Sequence, residues 1–284
     1  AYVVQPLPVQ QMRIERADNQ LNITWAATPD TLEPTANPTY YVVYTRTNDG
    51  DWDNGVKVTA PRYTLKAQAG TRYDVRVVAG NAGGVSMPGE TLSAYIAPNE
   101  RGKVLNGFTR VSGPDWFADS TYMGIVPQAG AVPYGKDLSY IGEQYEFDSR
   151  LPWVSDDNSG WGMCYSDQQA TLTAGNTFDY VCKHGRALAR EGYSYTSSSV
   201  AVLDSISGCD IVDVILGKQK TTVLGKDTSF HCMPQGLQKA LAGYIERGGR
   251  LLLSGAYIAS DMQSQEDKAF ISSTLHYGLS CTHA

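Results

Sequence analysis

Residues Leu237 to Asp261 constrain the fold of this 284-residue chain more than any other stretch. Leu237, Leu241, Tyr244 and Ile245 recur at the spacing of one helical face. Pro234 stands where a first-turn proline is tolerated, and Gly248-Gly249 ends the run with residues that enter the left-handed conformation without a Cβ penalty. Arg250 to Leu253 is then a short apolar run, long enough for a fully buried strand and too short for a second helix. Ser254-Gly255-Ala256 closes it, and a polar-capped segment follows near Ser260. Helix, Gly-Gly, strand and small-residue turn make half of a βαβ unit, so a parallel sheet is expected. In such sheets ligands collect beyond the carboxyl ends of the strands.

The rest of the chain divides near residue 98. Before that point no helical period occurs, and short β-rich runs recur between turn clusters as in a sandwich. Leu21, Ile23 and Trp25 alternate toward one face. Tyr40 to Thr45 and Tyr73 to Ala79 are further strands, and Asn48-Asp49-Gly50-Asp51 supplies a tight turn. Trp25 on an early strand, Tyr73 opening a late one, and the run from Val75 to Gly89 resemble a fibronectin type III domain over residues 8–97. That resemblance makes Trp25 the core aromatic and Tyr73 the tyrosine corner. It implies a spacer or docking role, with Trp52 the one ring that could be exposed for binding, although packing on an edge strand is the favoured reading. Ala97 to Gly102 reads as a linker.

Beyond it, Val104 to Phe108 is a strand and Thr177 to Arg190 a helix, with Phe178, Val181, Cys182, Leu188 and Ala189 on one face and Gly192 as terminator. Ser199 to Leu203 and Ile211 to Leu216 are candidate buried strands, and a last helix is expected near 265–276. Strands alternating with helices argue for an open three-layer sheet of flavodoxin-like type. The fold class expected is therefore multidomain: an all-β sandwich over 1–98, then an α/β three-layer flavodoxin-like domain over 102–284. A long insertion rich in Gly, Pro, Asp and aromatics occupies about 113–175. Gly278 to Ala284 reads as the start of another strand, so the natural protein is expected to continue.

Composition narrows the function classes. Net charge is −6 and no basic stripe is present, which argues against nucleic-acid binding. No apolar run reaches the roughly 18 residues of a membrane span. The cysteines at 164, 182, 209, 232 and 281 have no C-x-x-C spacing, so a structural zinc site is not expected, and two disulfides or buried free thiols remain open.

The second half resembles the class I glutamine amidotransferase-like fold, in which the strand after the Gly-Gly turn delivers a cysteine on a Gly-x-Cys-x-Gly elbow. Here that turn reads Ser254-Gly255-Ala256-Tyr257-Ile258 and has no thiol, and no His-x-Glu pair follows. A thioester needs a thiolate, so amidotransferase activity is not expected. Residues 153–199 are similar to a segment of secreted bacterial proteins carrying a xanthan lyase label, a similarity that spans roughly residues 100–284. Their relatives pair it with a fibronectin module and an N-acetylmuramoyl-L-alanine amidase domain.

Two constellations could carry chemistry. Asp156, Asp157 and Asn158 offer oxygen ligands suited to calcium, or else a self-bonded Asx-turn; no other cofactor is expected. Trp153 and Trp161 flank them as rings that could stack on sugars or form the insertion's own small core. The second constellation is a rim at the sheet's carboxyl edge: Arg110, Ser112, Lys218, Gln219, Ser254, Tyr257 and Asp261, approached by His184 and His231. Lyase chemistry needs a base and a group neutralising a uronate, roles that Tyr257, Lys218, Arg110 or His184 could fill.

The chain is thus expected to be a secreted, periplasmic or cell-surface modular protein associated with polysaccharide or peptidoglycan. Its α/β domain would bind or scaffold, with Trp153, Asp156, Asp157, Trp161 and Ser254 as ligand contacts. The alternative is a polysaccharide lyase or cell-wall hydrolase with its site between insertion and sheet edge. A third possibility makes both modules spacers for an adjacent catalytic domain.

Overall fold

The computed structural model describes residues 2–30, 33–48, 50–86, 88–108, 180–199, 206–216, 223–224, 228–229, 231–255 and 257–278. The insertion about 113–175 and the terminal run from 279 lie outside them. Eight strands build the first half: β1 Gln10–Ala17, β2 Gln20–Ala26, β3 Tyr40–Thr47, β4 Val56–Val58, β5 Arg62–Lys66, β6 Arg72–Asn81, β7 Gly84–Val85 and β8 Leu92–Tyr95. β1, β2 and β5 pair antiparallel in one layer, and β4, β3, β6 and β8 in the other. Period-2 alternation sends Leu21, Ile23 and Trp25 from one layer and Tyr41, Val43, Val75 and Val77 from the other into one core. Trp25 meets Tyr41 edge-on, with centroids 5.3 Å apart. The Tyr73 hydroxyl accepts the Gln68 backbone N–H at 3.0 Å, the back-bond expected of a tyrosine corner. Trp52 is half-buried, with the Arg46 and Arg76 guanidinium groups 4.8 and 4.3 Å from its ring, so it packs rather than projects.

The second half contains β9 Lys103–Phe108, α1 Tyr180–Arg190, β10 Ser194–Ser199 and β11 Ile211–Ile215. After a two-strand ribbon of β12 Val223–Leu224 and β13 Thr228–Ser229 come α2 Gln235–Glu246, β14 Arg250–Ser254 and α3 Gln265–Ser273. Four of these strands form a parallel sheet in the order β10, β9, β11, β14. Val212 and Val214 face α2 and α3, packing with Leu237, Leu241, Tyr244, Phe270 and Ile271. Ile215 points to the opposite face and joins Val181 of α1.

Helix α2 stops as its glycines dictate. Gly248 sits at φ +85° and donates to Ile245, and Gly249 donates to Tyr244. A Cβ on Gly249 would lie 2.3 Å from the Tyr244 ring, so this glycine is also a packing requirement.

Two expectations are corrected. β14 is not fully buried: Leu252 is 52% exposed, and among the described residues α1 packs mainly on β8, β9 and β10. The strand expected from Ser199 instead begins at Ser194; residues 200–203 lie outside the described residues.

β10 also joins the two halves. It runs parallel to β9 and meets β8 antiparallel at Tyr195 opposite Tyr95, and touches β1 at Ser198 opposite Arg13. Ser197 Oγ donates to the Ser93 carbonyl at 2.6 Å and accepts the Ser93 N–H at 2.7 Å, and Ser194 Oγ accepts the Ala97 N–H at 2.9 Å. Ser93 Oγ lies 2.7 Å from both Asp74 Oδ1 and the Tyr195 hydroxyl. Asp74, fully buried, is held by Arg46 at 2.8 Å. Serines fill this buried strand because its neighbours present backbone groups that need partners. The segment expected as a linker is bonded down as well, Arg101 N–H donating to Gly192.

Candidate functional site

The carboxyl edge of the sheet is built by the segments leaving β11 and β14. At the end of β14 the half-buried Ser254 has its carbonyl accepting from Leu216 N–H at 2.7 Å. The next turn is one of helix-like bonding, with Asp261 N–H donating to Tyr257. Asp261 Oδ2 in turn accepts the Cys232 backbone N–H at 2.8 Å, tying the two segments together. Cys232 is wholly buried. Burial, with the Asp261 and Asp267 carboxylates nearby, pushes its thiol up to about 12. It stays protonated at neutral pH and is no nucleophile.

His231 is engaged at both ring nitrogens. Nδ1 accepts the Met233 N–H at 3.2 Å, and Nε2 stands 3.3 Å from Asp267 Oδ2. Asp267 closes the capping box of α3 with Ser264 and accepts from Gln238 Nε2 at 2.7 Å. Burial alone would raise its carboxyl; the bonds from Gln238 and Ser264, with His231 alongside, hold it below the ordinary range instead. Cys232, His231, Asp261 and Asp267 thus look like a thiol–imidazole–carboxylate centre in composition. In bonding they are a structural knot that fixes the starts of α2 and α3.

A different pair lies on the other face. Asp213, at the middle of β11, is 1% exposed and opposes Leu252 of β14 and Asn106 of β9 in register. His184 of α1 reaches down to it, with Nδ1 at 2.8 Å from Asp213 Oδ2. About a third of the His184 side chain is solvent-exposed. Asp213 Oδ1 is buried without a hydrogen-bond partner among the described residues. His184 and His231 therefore do not share one rim, since strand alternation places them on opposite faces of the sheet.

Of the rim expected from sequence, Ser254 ends β14, and Tyr257 and Asp261 lie in the turn that follows it. Arg110, Ser112, Lys218 and Gln219 lie outside the described residues, as do Trp153, Asp156, Asp157, Asn158 and Trp161. Among the described residues no three His, Cys, Asp or Glu side chains gather as a metal site. No helix among them is long and apolar enough to cross a membrane. Two cavities, of about 380 and 860 Å³, open at the amino edge, on the side away from the expected rim. Arg13, Arg16 and Lys103 line the first, and Arg247 and Arg250 the second.

Sequence reasoning missed Asp213. Its signal is a lone carboxylate inside the otherwise apolar run Ile211-Val212-Asp213-Val214-Ile215. Such a residue is almost never buried without a partner.

No family model and no curated protein matches the chain. Solved structures do. The twitchin kinase region from C. elegans is similar at 27% identity over 34% of this chain, with a TM-score of 0.30. Titin kinase with its flanking domains is similar at 21% identity over 39%, also at 0.30. The chain spans only 18% and 23% of those two proteins. The fibronectin type-III domain of human fibronectin type III domain containing protein 3 is similar at 19% identity. That match covers 34% of this chain and 92% of the domain, with a TM-score of 0.28. By its own strand pairing, three strands against four with a tyrosine corner, the first half has a fibronectin type III-like fold.

Proposed function

We propose that the chain is part of a secreted modular protein associated with polysaccharide or peptidoglycan. In it the sandwich is a spacer and the second half a flavodoxin-like relative of class I amidotransferases that has given up thiol chemistry and serves to bind or scaffold. The sheet order supports the fold part of this reading alone: numbered from β9, the parallel strands run 2-1-3-4, the order of doubly wound flavodoxin-like sheets. One observation carries the loss of chemistry. The elbow position holds Ser254-Gly255-Ala256, and Cys232, a thiol that stands at the carboxyl edge among the described residues, is buried and protonated. The module order, and the resemblance read from the sequence to secreted proteins carrying a xanthan lyase label, motivate the partner class. A glycan array carrying bacterial exopolysaccharides and muropeptides tests it. Binding to at least one acidic or cell-wall glycan, with no glutamine hydrolysis, is the expected outcome; an empty array sinks the proposal. Enzymatic action, as a lyase or cell-wall hydrolase, is a second reading, and the His184–Asp213 pair is the observation that favours it.

A further inference from the structure

The pair on the α1 face has the parts of a general base. Burying a carboxylate is costly unless it is fully paired. A pin between helix and sheet would be served as well, or better, by an apolar residue. Asp213 instead keeps one oxygen on His184 and the other buried with no partner among the described residues, which is unfavourable for a carboxylate. A carboxylate at 2.8 Å from Nδ1 fixes the proton on that nitrogen, because only a donor can face it. In the neutral ring Nε2 then carries the lone pair, on a side chain about one-third exposed and with no hydrogen bond to another described residue. Buried carboxylate, oriented imidazole and outward lone pair are the arrangement that removes a proton from an oxygen acid.

We propose that His184 is the general base, and Asp213 its positioning residue, of a site that hydrolyses acyl groups carried on polysaccharide or peptidoglycan. The acyl class follows from what the pair lacks. Glycosidic hydrolysis takes two carboxylates flanking the bond, and the one here is occupied in orienting His184. Covalent catalysis needs a hydroxyl or thiol bonded to the base, and none is recorded on His184 among the described residues. Among the described residues that leaves water as the nucleophile. Nε2 takes one proton from it as its oxygen bonds to the acyl carbon. The bond from that carbon to the leaving oxygen or nitrogen then breaks, and the leaving group takes the proton back from Nε2. An acid and an alcohol or amine result, with no redox change.

The glycan carrier rests on the function proposed above; the base does not. Two measurements on the full chain separate them. In 15N-histidine-labelled protein, long-range 1H–15N spectra should show His184 with its proton on Nδ1 and Nε2 bare. A proton on Nε2 would overturn the assignment whatever the variants do. Wild-type protein should release acetate from O-acetylated polysaccharide or free amines from peptidoglycan, and the active arm names the carrier. His184→Asn and Asp213→Asn should each lower that rate at least a hundredfold while the thermal midpoint of His184→Asn stays close to wild type. Binding to glycan without release in either arm overturns the catalytic proposal and leaves the glycan association standing. Release that survives His184→Asn overturns it as well.

Discussion

Cys232 and Ser254 carry the functional argument at the level of single residues. A thiol next to a histidine in sequence, at the carboxyl edge of a parallel sheet, invites assignment as a nucleophile. Its neighbours decide otherwise, because Asp261 and Asp267 are anions and His231 gives both ring nitrogens to other partners. Native protein at pH 8 should therefore leave Cys232 unmodified by iodoacetamide over hours, as followed by peptide mass spectrometry, and the thiol should react at once when urea unfolds the chain. Rapid labelling of folded protein would contradict the buried, protonated state. Little of this was legible beforehand. Ser254, Tyr257 and Asp261 could be placed at one edge from strand direction alone, since the period of the elements fixes where each strand ends. Asp213 could not, because its partner lies 29 residues away on a helix and only the packing of α1 on the sheet brings them together.

Among the elements, α3 is the clearest case of local chemistry fixing a boundary. Ser264 and Asp267 bond reciprocally to each other's backbone N–H groups, and Ser264→Ala should cost about 1 kcal/mol in urea denaturation. Asp267 adds a pH dependence of definite sign. Its folded carboxyl is held below the ordinary value of 3.8, so its contribution is complete above that value and is lost as pH falls through the lower folded one. The stability gap between wild type and Asp267→Asn should be constant near neutrality and narrow below about pH 4. A gap independent of pH would show that the carboxylate charge plays no part. Helix α2 with its Gly-Gly stop was readable because caps and a 3.6-residue period are local signals. β10 was not. Its buried serines answer to the backbone of β8, and no apolar run announces a strand whose neighbour is another domain's edge.

For the whole molecule, that strand makes two modules into one structure. The buried path Arg46, Asp74, Ser93 and Tyr195 crosses the junction entirely through polar contacts, and Ser197 holds the Ser93 backbone from both sides. Calorimetry should show a single unfolding transition. Ser197→Ala strips the Ser93 N–H of its partner and should lower stability by about 1–3 kcal/mol without splitting that transition. Two well-separated transitions would mean that the junction is weak. A junction of this kind is what the proposed spacer role requires.

Glycan association is the claim on which the functional account turns, and native affinity electrophoresis tests it most directly. The full chain is run through gels cast with acidic exopolysaccharide, with solubilised peptidoglycan, with neutral dextran, or with no polymer. The account expects clear retardation in at least one of the first two gels and none in dextran. Equal mobility in all four gels would contradict it.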